Sequence, residues 1–171
     1  MERCAAAQGR RLLAMNLDES SIPAVFSHLK GNGALAAAAR GTADEVTQPV
    51  PKGVDRQFFT LAAIICSESA LQPLMPQGIL APQALLRAEN WRSLQEDLPD
   101  NAYVKYNATG WNSESVLVEI ITILGVILQP FLHEFQPVLY LDAAPIHLTG
   151  AVLAALAAGA IWFACIPARV T

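Results

Sequence analysis

The stretch around Asp142 has the clearest potential for chemistry in this sequence. An apolar run, Val138–Leu141, ends in the Asp142 carboxylate, and the His147 imidazole follows shortly after Pro145. A carboxylate at the carboxyl end of a buried strand points into the crevice in which open α/β sheets place their ligands. The structural alternative is a strand end and a turn in which backbone N–H groups satisfy Asp142. Spacing alone favours that alternative, because perturbed or buried carboxylates are often structural.

A second acidic pair, Asp18-Glu19, ends the short apolar run of residues 11–18. Taken alone, such a pair is usually solvated surface. Two carboxylates on neighbouring strands, however, suit a hard divalent cation such as Mg²⁺, which takes oxygen ligands and keeps several waters. Two such ions roughly 3.5–4 Å apart can activate an attacking water and stabilise the leaving oxygen of a phosphodiester. Asp18 and Asp142 would form such a pair if their strands are neighbours in the sheet.

The elements that must position these acids begin with strands. One strand is expected to end near Asp18. The continuous β-leaning run from Phe58 to Cys66 predicts a strand buried on both faces. The segment from Gln72 to Leu80 carries two prolines and predicts an edge-like strand. Tyr103–Tyr106 shows a weak alternation.

The remaining residues of this half favour loops. Residues 31–57 are rich in Gly, Ala, Pro and charge, and they predict a loop with one short edge strand around 45–50. Residues 82–98 predict a short helix or a covering loop. We expect a tail over residues 1–10 and one domain over residues 11–171.

Capping signals predict a helix after residue 111. Asn112 or Ser113 is a candidate N-cap, and Glu114 favours the positive end of the helix dipole. The helix is expected to run to about Leu128, with Pro130 as its stop.

The last part of the chain predicts a βαβ unit. Its elements are a strand over 138–142, a helix over 150–158 capped by Thr149 and closed by Gly159, and a buried strand over 160–166. Such a unit implies parallel strands.

Composition excludes several classes of protein. Of the 171 residues, 53% are hydrophobic and 15% are charged, which excludes disorder, collagen, a charged coiled coil and a disulfide scaffold. A buried α/β core or a small membrane protein remains. Residues 115–132 and 148–166 are apolar enough for two membrane spans. Glu119 would be energetically costly inside the first span. Gly159 and Pro167 mark the bounds of a strand within the second segment. An α/β domain without a membrane span is therefore expected, with a two-span protein as the alternative.

Charge and motifs narrow the function further. The net charge is −4 and the pI is near 5.3, whereas a domain that grips nucleic acid mainly by charge usually has a pI above about 9. Any role on nucleic acid would therefore be catalytic, or would depend on positive charge supplied from outside this chain. Cys4, Cys66 and Cys165 are scattered and form no CxxC, which fits structural thiols in a reducing compartment. No GxxxxGK[ST], GxGxxG, HExxH or GxSxG occurs in the sequence. No motif therefore indicates an NTPase, a dinucleotide-binding enzyme, a zincin or an α/β-hydrolase.

Six segments, in order along the chain, resemble the catalytic domain of eukaryotic DDE transposases of the pogo and jerky type. Asn16–Ser20 resembles the N-x-DE-[ST] segment that carries the first catalytic Asp of the family. Leu141–His147 matches the L-D-[NG]-[AC]-x-[SA]-H segment of the second Asp. The other similar segments are Lys52–Ala63, Ser67–Leu74, Tyr103–Trp111 and Ile161–Thr171. Together they span residues 15–171, nearly the whole chain.

This resemblance implies a ribonuclease H-like fold, a mixed central sheet flanked by helices. It implies Mg²⁺- or Mn²⁺-dependent cleavage and transfer of DNA strands by a two-metal-ion mechanism in the parent enzymes. It also implies DNA as the partner, a nuclear location, a homo-oligomer and no small-molecule cofactor. Carried over, Asp18 and Asp142 would be catalytic residues and the first two metal ligands, and Glu19 would be a neighbour. His147 would support the ligands or face DNA; a cap for the helix at residue 149 is its structural alternative.

The sequence also departs from the family pattern. The family's third acid follows a "Leu-Gln-Pro-x-Asp" type segment, and this chain stops at Thr171, at the motif before it. Ala143 stands where Asn or Gly is common, and Ile146 where a small residue is common. Because Asp18 lies so near the start of the sequence, we expect the N-terminal helix-turn-helix region of such proteins to be missing. We therefore expect a truncated or decayed transposase core that is inactive alone, with a domesticated non-catalytic module for nucleic-acid or protein interaction as the alternative.

Overall fold

A mixed six-stranded β-sheet forms the centre of the computed structural model, which describes residues 1–23, 58–82, 96, 98–107 and 112–167. The strands are β1 (Arg11–Pro23), β2 (Phe58–Cys66), β3 (Gln77–Pro82), β4 (Ala102–Asn107), β5 (Phe135–Asp142) and β6 (Trp162–Ile166). The helices are α1 (Glu2–Ala7), α2 (Glu114–Leu128) and α3 (Gly150–Ala158), with 3-10 turns at Gln72–Leu74, Gln129–Phe131 and Pro145–Leu148. The predicted α/β class, with a mixed sheet flanked by helices, is confirmed.

The strand order is β4-β3-β2-β1-β5-β6, which places β1 inside the sheet. β1 pairs antiparallel with β2 and parallel with β5. β2 and β3 are antiparallel, whereas β3 and β4 are parallel. β5 and β6 are parallel and are joined through α3, so the predicted βαβ unit is confirmed.

The main core lies between one face of the sheet and the two longer helices. α2 contributes fully buried side chains on one stripe, and α3 adds Val152 and Leu156. On β1, the buried Leu13, Met15 and Leu17 alternate with more exposed residues, as a strand with one packed face requires. A smaller cluster around Ile79 and Ala81 forms separately from this core.

Local signals set the ends of α2 and α3. The Ser113 and Thr149 side chains each accept a hydrogen bond, at 3.4 Å, from the backbone N–H three residues later. The predicted helix bounds and the Thr149 cap are thus confirmed, and of the two candidates for the first cap, Ser113 fills the position. Pro130 lies in the 3-10 turn that follows α2.

Gly159 closes α3 for a packing reason rather than a conformational one. Its φ is −80°, and the residue with positive φ is the next one, Ala160, at 52°. A Cβ on Gly159 would lie 3.2 Å from the Gly125 Cα of α2. The missing side chain therefore lets the end of α3 approach α2 closely.

Three strand predictions need correction. β1 does not end near Asp18 but continues to Pro23, because it pairs with β2 along that whole length. β2 is not buried on both faces: Ile65 is 63% exposed, since only alternate residues face the helices. β6 is not a buried strand either, because it lies at the edge of the sheet and Phe163 is 40% exposed.

Other predictions differ in detail or fall outside the description. The segment from Gln72 to Leu80, predicted as an edge-like strand, splits into a 3-10 turn and then β3, which lies between β2 and β4 and not at an edge. The region predicted as a tail contains α1, whose Ala5 is buried. The short strand around 45–50 and nearly all of 82–98 lie outside the described residues.

The two apolar segments considered as membrane spans form different structures. Within the described ranges, one helical segment, Glu114–Phe131, is long and apolar enough to cross a membrane. It contains α2, whose buried stripe packs in the main core. The segment 148–166 is instead divided between α3 and β6.

The three thiols are expected to differ in reactivity. Cys4 and Cys165 are exposed, whereas Cys66 is buried, and burial raises the pKa of its thiol. Since the thiolate is the reactive form, a thiol reagent should modify Cys4 and Cys165 promptly in the native protein and Cys66 only slowly. Peptide mapping after brief alkylation, with a urea-denatured sample as control, tests this. Equal labelling of all three before denaturation would contradict the placement of Cys66.

Candidate functional site

The predicted acids lie on the adjacent parallel strands β1 and β5. The β1–β5 ladder runs from Arg11 opposite Phe135 to Asn16 opposite Tyr140. Two residues beyond its last pair, in the carboxyl direction of both strands, lie Asp18 and Asp142. Neighbouring strands are about 4.8 Å apart. This end of a parallel pair is where open α/β sheets place ligands.

Asp18 and Glu19 occupy opposite sides of β1. Leu17 is buried in the main core, Asp18 is exposed, and Glu19 is partly buried again, following the pleat of a continuous strand. Asp18 pairs with Ala63 of β2, and its Oδ1 accepts a hydrogen bond from the Glu19 N–H at 2.9 Å. Glu19 instead faces the two turns that precede α2 and α3.

His147 links Glu19 to Asp142. Its ring is buried, with Nδ1 at 2.6 Å from the Asp142 Oδ1 and 3.2 Å from the Asp142 carbonyl oxygen. Its Nε2 lies 3.4 Å from the Glu19 Oε1. Both ring nitrogens thus face acceptors, and only the imidazolium donates from both. Because Thr149 caps α3, the alternative role of His147 as a helix cap does not apply.

The electrostatic setting matches this geometry. The hydrogen bond to Glu19 raises the pKa of His147, and the Asp142 carbonyl and the two negative charges act in the same direction. Burial of the ring opposes them and lowers the pKa, but the net shift is upward. The imidazolium is therefore stabilised between two carboxylates.

Asp142 is bonded by the backbone at its strand end and is also partly exposed. Its Oδ1 accepts the Ala144 N–H at 3.0 Å, as the structural alternative predicts for a strand end. The same oxygen faces His147, while 53% of the side chain remains exposed. The carboxylate is thus held by the protein and still open to solvent.

Asn112 is the site residue that sequence reasoning missed. Its side-chain Nδ2 donates a hydrogen bond to the Glu19 Oε1, and its Oδ1 accepts the Ser113 N–H at 2.9 Å. The pattern marked Asn112 only as a candidate cap. Its link to Glu19, 93 residues away, has no local signal in the sequence.

The three carboxylates share one feature of their hydrogen bonding. Every hydrogen bond or ion pair observed on them among the described residues falls on one oxygen of each: Oδ1 of Asp18, Oε1 of Glu19 and Oδ1 of Asp142. Within the same residues, no group of three or more His, Cys, Asp or Glu side chains is arranged to hold a metal ion. Two carboxylates can still hold Mg²⁺, which commonly completes its shell with waters and substrate phosphates.

Of the other two histidines, the structure describes His133. His133 is exposed and its Nδ1 lies 2.9 Å from the Pro130 carbonyl oxygen, while His28 falls outside the described residues.

Comparison with known proteins gives no further assignment for these residues. No protein-family model, curated protein or solved structure matches the chain.

Proposed function

We propose that this chain is a transposase-derived, DDE endonuclease-like domain with a ribonuclease H-like fold. In this proposal, Asp18 and Asp142 bind a divalent cation, Mg²⁺ or Mn²⁺, that meets the phosphodiester backbone of DNA. The observation that carries it is the location of Asp18 and Asp142 just beyond the β1–β5 ladder, on adjacent parallel strands. The sequence resemblance, which is independent of that pairing, assigns the same two residues.

The architecture supports the proposal at the level of the whole sheet. The resemblance implies a mixed central sheet flanked by helices, and the described residues have that arrangement. β1 and β5 come from distant parts of the chain. Their pairing brings together two motifs that the sequence could relate only by family order.

The chain's own residues would have distinct roles in cation binding. Asp18 and Asp142 supply hard oxygen ligands, and His147 with the Ala144 N–H fixes one oxygen of Asp142. Bound divalent ions in such a site activate an attacking water and stabilise a leaving phosphate oxygen. Since the net charge is −4, the cation would supply local positive charge toward DNA phosphates.

Cation binding is the direct test of this proposal. We expect Mn²⁺ to bind the wild-type chain saturably, and we expect Asp18→Asn and Asp142→Asn each to weaken binding at least about tenfold, since each removes an anionic ligand. Water-proton relaxation during a Mn²⁺ titration measures the affinity. Asp100→Asn is a matched control, because Asp100 is an exposed acid just before β4, on the far edge of the sheet.

Two outcomes would contradict the proposed site. One is a wild-type chain without saturable Mn²⁺ binding; a non-catalytic interaction module would then be the better description. The other is equal affinity in the two site variants and the Asp100→Asn control. Thermal unfolding of each variant checks that the fold is retained.

A further inference from the structure

We propose that Asn112 is a positioning residue that fixes the Asp142 carboxylate through Glu19 and His147. Contacts join four side chains in series across the carboxyl end of the β1–β5 pair: Asn112, Glu19, His147 and Asp142. Its consequence for cation affinity rests on the proposed function, whereas the positioning itself does not.

The first link anchors the series to a rigid element. The Asn112 Oδ1 accepts the Ser113 N–H, which orients the amide so that Nδ2 points at Glu19. Ser113 is the N-cap of the 15-residue α2, whose inner stripe is packed in the main core. The direction of the Asn112 amide is therefore set by the start of a well-packed helix.

The second link constrains Glu19 on one oxygen. Oε1 accepts the Asn112 hydrogen bond and also faces the Nε2 of His147. The Glu19 side chain is 24% exposed, so both contacts are partly shielded from water. Hydrogen bonds to an ionised acceptor are stronger and more directional than neutral ones. Asn112 thus restricts where the Glu19 carboxylate can stand relative to the His147 ring.

The third link transfers this constraint to Asp142. The buried His147 ring has acceptors on both sides, so a displacement of Glu19 removes the contact that holds one edge of the ring. The opposite edge contacts the Asp142 Oδ1, on a side chain that is half exposed. Outer residues of this kind orient the groups that bind a metal.

A spectroscopic test separates positioning from folding. Asn112→Ala should shift or broaden the side-chain carboxyl ¹³C signal of Asp142 and the ring ¹⁵N signals of His147. Asn101→Ala is the matched control, because the Asn101 amide also donates a hydrogen bond, to the Met75 carbonyl at 2.8 Å, but lies away from the series. Asn112→Gln keeps an amide donor and should restore part of the wild-type signals. Unchanged Asp142 and His147 signals in a folded Asn112→Ala chain would overturn the proposal.

A second measurement tests the consequence for the cation. Asn112→Ala should weaken Mn²⁺ binding by up to about tenfold, in the lower range for outer positioning residues. Wild-type affinity in a variant whose Asp142 signal has moved would overturn the link to cation binding. If the wild-type chain itself binds no Mn²⁺, the proposed function fails, and the carboxyl and ring signals alone decide whether Asn112 positions Asp142. Glu19→Ala removes the acceptor at the second member of the series and should reproduce the Asn112→Ala shifts.

Discussion

Replacing Leu124 with alanine is expected to lower the free energy of unfolding by about 2–5 kcal/mol. Leu124 is fully buried at 0% exposure, on the stripe of α2 that packs in the main core. The change removes apolar contact area and leaves a cavity, because a close-packed interior relaxes only partly around the loss. Urea denaturation followed by circular dichroism measures the difference.

Val126→Ala is the matched control on the same helix. Val126 is 72% exposed, so its truncation removes little buried area and should change stability by less than about 0.5 kcal/mol. Alanine also has the higher helix propensity, which offsets part of any loss. A loss at Val126 as large as that at Leu124 would contradict the packing of α2 on the sheet. The pair therefore tests whether this apolar helix is a core element with one buried face.

The elements with local signals were predictable from the sequence. Ser113 and Thr149 precede apolar runs and have side chains that satisfy the first N–H groups of a helix, and both form those bonds in the structure. Pro130 and Gly159 mark the ends of the same two helices. These signals act within a few residues, so the sequence alone contains them.

The burial of the strands was not predictable in the same way. A continuous apolar run such as that of β2 or β6 predicts burial on both faces only if other elements cover both. Which strand lies at an edge depends on pairing between distant segments. Phe163 is exposed because β6 lies at the edge, and Ile65 is exposed because only alternate residues of β2 face the helices.

The candidate site shows the same division. The strand-end pattern identified Asp18, Asp142 and His147, and the structure brings His147 and Asp142 into contact. The sequence pattern could not show that Glu19, rather than Asp18, faces His147. Which of the two faces the ring depends on β1 continuing past Asp18 as a regular strand. The contribution of Asn112 depends on tertiary contact alone.

Replacing His147 with glutamine is expected to destabilise the protein more strongly at low pH than at high pH. The imidazolium bridges Glu19 and Asp142. A hydrogen bond to a charged group contributes about 1.5–3 kcal/mol to stability. The lower end applies here, because half of the Asp142 side chain is exposed to water. Glutamine fills part of the space but carries no charge, so it cannot stabilise both carboxylates.

The sign of the pH dependence follows from the direction of the pKa shift. Contact with Glu19 raises the pKa of His147 above its ordinary value of 6.5 in spite of burial. Folding is therefore favoured by protonation, and this stabilisation is fully present below pH 6.5 and is lost as the pH rises through the higher pKa of the folded state. The difference in unfolding free energy between wild type and His147→Gln should accordingly be larger at about pH 5.5 than at about pH 8.5.

His133→Gln separates this effect from the general titration of the chain. His133 is exposed and its Nδ1 lies near the Pro130 carbonyl oxygen, so its replacement removes a histidine that does not lie between two carboxylates. The stability difference from wild type should change less between these two pH values for His133→Gln than for His147→Gln. If the stability difference for His147→Gln changes no more with pH than that for His133→Gln, then protonation of the His147 ring does not stabilise the fold through Glu19 and Asp142. His147 would then contact Glu19 and Asp142 as a neutral ring. The description of the site as an imidazolium between two carboxylates would be wrong, although the distances would be unchanged.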